Sequence, residues 1–205
     1  MEFAFSICLG LALAACCGFR VFVPLLVTNV AYLTGYLSPN TGFEWMAGWP
    51  AFAVLATATA LEIAAYYIPV VDNVLDAVAT PAAFIAGTVL MTSLVDGGDP
   101  ILRWALGLIV GGGSAGLIQA GTGLLRLGST ATTGGLGNPV VATTENVFAG
   151  FFSVLGLFLP VLVAVLAVGL LVFVGKRLAR RFSADPPARV PSAKADDQTG
   201  KPLRG

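Results

Sequence analysis

EFAFSICLGLALAACCGFRVFVPLLVTNVAYLTGYL, residues 2–37, is too apolar for a soluble fold and too long for one simple membrane crossing. After Glu2 its only charge is Arg20, and Gly18, Arg20 and Pro24 fall near its middle. A spanning helix needs about 20 apolar residues. Proline removes a helix hydrogen bond and clashes with the preceding turn. The run therefore reads as a discontinuous helix or a tight helical hairpin, and it decides the class of everything that follows.

Composition agrees. Apolar residues make up 57% of the 205-residue chain and charged residues 11%, whereas soluble domains carry about a quarter charged residues. A compact soluble fold of this length lacks the interior to hide so much apolar surface. The expected class is an all-α integral membrane protein. No polar linker interrupts residues 1–175, so they form one transmembrane domain. The chain has no histidine, the commonest general base and metal ligand, and neither metal nor cofactor is expected. Cys8, Cys16 and Cys17 all lie in the first apolar run and suit buried small hydrophobes. Leu13-Ala14-Ala15-Cys16 resembles a lipoprotein cleavage box. The MEFAF start lacks a positive n-region, however, and the chain stays apolar afterwards, so no cleavage is expected.

The zero net charge conceals an asymmetry. Only Arg20, Arg103 and Arg126 are basic before residue 176, against eight acids: Glu2, Glu44, Glu62, Asp72, Asp76, Asp96, Asp99 and Glu145. KRLARR at 176–181 then opens a basic tail, 176–205, that lacks aromatics and reads as disordered. Basic residues flanking a span mark its cytoplasmic side, which places the C-terminus inside. An anionic-lipid contact is the other reading of this cluster.

Between these ends, SPNTGFEWMAG at 38–48 reads as a polar turn with interfacial Trp45 and Trp49 nearby. Residues 49–68, 69–95 and 101–127 are three plainer spans, with DGGDP at 96–100 as a turn. Residues 139–175 are again too long for one span and contain Pro160. About five helical spans are expected, the first and last discontinuous. Pro69-Val70-Val71 before Asp72-Asn73 and Pro139-Val140-Val141 before Glu145-Asn146 form a short internal echo, of the kind that marks inverted-repeat transporters. The 101–127 span is rich in glycine. This permits close helix packing, or a solute passing beside bare backbone.

Arg20, Glu62, Asp72, Asp76, Arg126 and Glu145 are the intramembrane charges. Burying all six unpaired would cost about 15–20 kcal/mol on insertion scales, more than a typical domain's net stability. They must pair, face water or lie near the interface. Glu62, flanked by apolar residues in ATATALEIAAYY, and Glu145 are the expected partners of Arg20 and Arg126. Asp72 and Asp76 share a helix face just after Pro69, where the helix dipole favours acids.

TATTGGLGNPVVATTEN, residues 130–146, lies between two apolar runs. Asn138-Pro139 is a helix start. Residues 130–138 read as a non-helical loop, either re-entrant or an ordinary surface loop. As a re-entrant loop it would bring Thr132, Thr133, Asn138, Thr144 and Glu145 around a small solute or ion.

GFRVFVPLL at 18–26, YYIPVVDNVLD at 66–76 and TGGLGNPVVATTEN at 133–146 resemble the hallmark stretches of a bacterial membrane family, domain-of-unknown-function family 4126. The resemblance covers roughly residues 10–170. It implies a small polytopic inner-membrane protein and no established activity. It also implies that Arg20, Asp72, Asp76, Asn138, Pro139 and Glu145 belong to the motif core.

The expected function is a small transporter or channel for a small solute or ion. The solute-binding residues are Arg20, Glu62, Asp72, Asp76, Arg126, Thr132, Thr133, Asn138, Thr144 and Glu145. The acid excess favours a cation or proton. A non-transporting scaffold or assembly factor is the alternative. A lipid-modifying enzyme is a weaker one, because no phosphate loop or nucleophile elbow is present. The expected partners are the lipid bilayer, the solute and further copies of the chain, not nucleic acid.

Overall fold

The computed structural model describes residues 2–97 and 99–182. The side chains of Pro69, Val70, Asp72, Asn73, Val74, Asp76, Leu178, Arg181 and Phe182 lie outside that description. Among the described residues the fold is helical throughout: α1 (Glu2–Cys16), α2 (Phe22–Leu33), a 3-10 turn (Glu44–Ala47), α3 (Trp49–Ala65), α4 (Pro69–Leu94), α5 (Pro100–Leu106), a π-helical segment (Gly107–Gly112), α6 (Gly113–Thr133), α7 (Asn138–Phe158) and α8 (Pro160–Phe182). Among the described residues, four helical stretches are long and apolar enough to cross a membrane: Ala77–Leu94, Pro100–Thr133, Asn138–Phe158 and Pro160–Arg177. The protein is a multi-helix membrane protein, as its composition requires.

The first run is a hairpin. Near its start, Ser6 Oγ accepts a hydrogen bond from the Asp96 amide at 3.1 Å. Near its end, Tyr32 Oη meets Ser93 Oγ at 3.2 Å, and the Asn40 amide donates to the Ser93 carbonyl at 3.1 Å. Both ends therefore sit at the C-terminal end of α4. At 15 and 12 residues, α1 and α2 reach only about 22 and 18 Å, short of a core about 30 Å thick. The chain enters the bundle, breaks at 17–21 and returns. Gly18 makes the close approach at the tip possible, since a Cβ there would lie 2.7 Å from the Ala115 carbonyl oxygen.

α4 and the Pro100–Thr133 stretch form a seam of small residues. A Cβ at Gly87 would lie 2.5 Å from the Gly111 carbonyl oxygen, and one at Gly112 would lie 2.9 Å from the Phe84 carbonyl oxygen. In lipid, helices associate through such close packing because no hydrophobic force drives them together. The bare backbone at Gly107, Gly111 and Gly112 thus faces α4, while Gly121 faces Val174 of α8. Asp99 caps α5 by accepting from the Ile101 amide at 2.8 Å, and Gly98 of the expected DGGDP turn lies outside the described residues. Trp45 and Trp49 are exposed.

Four expectations are revised. Residues 139–175 are not one broken span. α7 ends at Phe158, a single residue, Leu159, intervenes, and α8 doubles back. Ala167 of α8 packs with Ala15, with Leu170 near Phe19, while Arg20 touches α7 at Ala142. The two proline echoes open α4 and α7. Tyr67, just before α4, meets Thr143 at 3.0 Å, while Tyr36 Oη donates to the Leu157 carbonyl oxygen. The echoed helices start at one end of the bundle and run the same way, so they are not an inverted pair. Residues 176–182, assigned to the tail, continue α8, and 183–205 lie outside the described residues.

Finally, 130–138 is not a nine-residue loop. α6 continues through Thr133 because the threonine hydroxyls donate to the preceding turn rather than competing with it. Thr132 Oγ1 donates to the Gly128 carbonyl at 2.9 Å and Thr133 Oγ1 to that of Ser129 at 2.7 Å. Gly134 (φ 62°) and Gly135 (φ 89°) then adopt left-handed backbone, the common helix C-terminal device. The turn is four residues long, and Leu136 at its tip is 86% exposed.

Candidate functional site

The break at 17–21 lifts Arg20 off the end of α1 into a pocket built by α3, α6 and α7. Its Nη1 lies 3.1 Å from Glu145 Oε2. Arg126, one α6 residue deep in the same pocket, bonds the same oxygen through Nη2. Arg20 is 1%, Arg126 2% and Glu145 4% exposed. One carboxylate oxygen thus bridges two buried guanidiniums. Arg20 also donates through Nε to Asn146 Oδ1 and through Nη2 to the Ala142 carbonyl, the latter at 3.1 Å. The centre of each guanidinium lies 3.9 Å from the centroid of the Tyr66 ring, a contact worth about 0.5–2 kcal/mol when desolvated.

Glu62 is the correction to the expected pairing. It forms no ion pair with either arginine among the described contacts. Its Oε1 accepts from the Val21 amide at 2.8 Å and its Oε2 from the Phe22 amide at 3.0 Å. The first amides of a helix lack intrahelical partners, and α2 has no side-chain cap of its own. A carboxylate from α3 supplies the cap, and the positive end of the α2 dipole stabilises the charge.

Arg126 lies seven residues before the end of α6 and Glu145 seven after the start of α7. The cluster is therefore about 10 Å in from the α6–α7 turn. Arg20, Arg126, Glu145 and Glu62 come together at the hairpin tip. Asn138 is buried at the turn, where its Nδ2 donates to Thr130 Oγ1 at 3.1 Å. Thr132 and Thr133 are exposed and bonded within α6. Thr144 is exposed and donates to the Val140 carbonyl at 2.9 Å. These hydroxyls do not face the cluster. Asp72 and Asp76 lie in the first two turns of α4 by backbone, and their side chains fall outside the described residues.

Three participants carried no charge and escaped a sequence reading: Tyr66, Asn146 and the Ala142 carbonyl. For Tyr66 a signal existed, since it lies four residues after Glu62 on the same helix face. The family model for a domain of unknown function, DUF4126, matches residues 7–180. The chain belongs to the DUF4126 family. That match contains the hairpin from residue 7 onward, the cluster and α8 almost to its end, so the charged centre of this DUF4126 protein lies inside the family domain. No curated protein and no solved structure matches the chain.

Proposed function

We propose that this DUF4126 protein is a membrane transporter for a small monovalent anion moved together with a proton, and that Glu145 is the switch between its states. The supporting observation is the single carboxylate oxygen that bridges two buried guanidiniums at the tip of a non-spanning hairpin. Intramembrane charges at such broken segments are functional by default. Among the described side chains of the centre, Arg20 and Arg126 against Glu145 and Glu62 sum to zero. Protonation of Glu145 leaves one positive charge, because Glu62 remains tied to the α2 amides. A monovalent anion taking the carboxylate's place restores neutrality, so neither state leaves a buried charge uncompensated. The chain-wide acid excess favours a cation or proton. On this reading the proton is the coupling ion, and the two arginines make the solute an anion.

A bacterial inner-membrane location with the C-terminus in the cytoplasm belongs to the same reading, through the basic end of α8. The glycine seam that suited a scaffold is occupied within the chain, by α4 against the π-helical segment. The test is uptake into proteoliposomes across a panel of chloride, nitrate, acetate and lactate, with sodium and potassium as cation arms. Uptake of at least one anion should rise when the outside is acidified, and Arg20→Gln should abolish it. Flux of cations only, anion flux indifferent to a proton gradient, or no flux across the panel would each overturn the proposal.

A further inference from the structure

A second feature lies beside the charged centre and serves no part of the transport proposal. α1, α6, α7 and α8 enclose a cavity of about 580 Å³. Cys16 and Phe19 of the hairpin line it, with Phe152 of α7 and Leu170 of α8. Its lining is apolar apart from Cys16, Thr122 and, at one end, Arg177. α7 lines it with Phe148 and Phe152 and α8 with residues from Val163 to Arg177, so the two helices flank it.

Such a lining offers a water-soluble molecule almost nothing to bond, and apolar cavities hold water poorly. In a bilayer the natural occupant is a lipid chain. The dimensions agree. Val163 and Arg177 both line the cavity, and 14 residues of helix separate them by about 21 Å. One leaflet of the hydrocarbon core is about 15 Å deep, so a chain hanging from the level of Arg177 stays within the lining. The headgroup end is charged. No ionisable acid or base occurs between Glu145 and Lys176. The apolar stretch of α8 ends at Arg177, and Lys176, Arg177 and Arg180 are all exposed there.

We propose that this cavity binds an anionic phospholipid, with one acyl chain between α7 and α8 and the phosphate at Arg177. The inference does not rest on the transport reading, since it concerns different residues and a ligand that stays in the membrane.

The test uses the full-length protein purified in detergent. Phosphatidylglycerol and phosphatidylcholine of identical chains are titrated, and binding is read by native mass spectrometry. Phosphatidylglycerol should bind at least fivefold more tightly. Arg177→Gln should remove that preference, a loss of about fivefold for one interfacial basic residue, and Arg177→Lys should retain most of it. Leu170→Trp, which fills the cavity, should weaken both lipids at least tenfold while the protein elutes as a folded species. Millimolar glycerol phosphate should displace neither lipid. Equal binding of the two lipids by the unmodified protein, or an undiminished preference in Arg177→Gln, overturns the proposal. So does displacement by glycerol phosphate, which would make the site a headgroup site without a chain. Arg177 is exposed, so its variants decide the matter even if Leu170→Trp fails to fold.

Discussion

Removing the Glu145 charge should be more damaging than removing Arg126, and partly reversible by a second change. Glu145→Gln leaves Arg20 and Arg126 stacked on one ring, with Glu62 the remaining acid of the cluster among the described side chains, a change of +1 in the local charge. Arg126→Met instead leaves the Arg20–Glu145 pair intact and a local charge of −1, with Glu62 still held by two amides. Breaking a buried pair by deleting one partner costs about 3–5 kcal/mol. Double-mutant cycles inside membranes find smaller couplings, up to about 1.7 kcal/mol for hydrogen bonds. Glu145→Gln loses two ionic contacts, so about 3 kcal/mol is expected, or about 6–12 °C in Tm for a chain of this size. Arg126→Met should cost less. The double variant returns the count to zero, and its loss should fall short of the sum by about 0.5–3 kcal/mol. Thermal unfolding in detergent, followed by the fraction remaining monodisperse, measures all three. Additive losses, or Arg126→Met costing more than Glu145→Gln, would refute the shared-carboxylate account.

Glu62→Leu strands the Val21 and Phe22 amides at about 1–3 kcal/mol each, whereas Glu62→Gln keeps one acceptor and should cost about half as much in the same assay. Gly87→Val should prevent α4 from seating against Gly111, lowering stability by about 1–3 kcal/mol or more, whereas Gly123→Ala, which meets nothing within 4 Å, should be neutral. In a background lacking Cys8, Cys16 and Cys17, Thr41→Cys and Leu136→Cys should react with impermeant thiol reagents from opposite sides of the membrane, and a reporter after Gly205 should be on the Leu136 side; labelling of both cysteines from one side would break the topology. Glu44 accepts hydrogen bonds from its own amide and that of Gly42, which hold its carboxyl below the usual carboxylate value. A depressed value stabilises the turn above the unfolded pKa and is lost as pH falls through the folded one, so NMR of Gly42 should reveal a transition below the ordinary Glu range.

The membrane class and the pairing of Arg20 and Arg126 with Glu145 were legible because charge in hydrocarbon must find a counter-charge, and the candidates were few. Glu62 was misassigned for the same reason: a charge count cannot see backbone amides freed by a helix break. Thr130–Thr133 looked like loop by composition, yet hydroxyls that bond back within the helix let α6 run on to the first glycine that turns left-handed. Pro160 marked a break correctly, but nothing local distinguishes a kink from a reversal. Only the packing of Ala167 and Leu170 against α1 decides it.

The cluster also has an order in time. A ribosome delivers its charges as Arg20, Glu62, Arg126 and Glu145, so the running total alternates between one and zero. Synthesis at about 5–20 residues per second puts Glu62 roughly 2–8 s behind Arg20, and Glu145 about 1–4 s behind Arg126. At no stage does the half-made chain hold two unbalanced charges from this centre. For these four charges, the translocation machinery is therefore never asked to release more than one orphan charge into lipid. An inversion of this order, with both arginines before either acid, would leave the finished protein unchanged on paper and its insertion far harder.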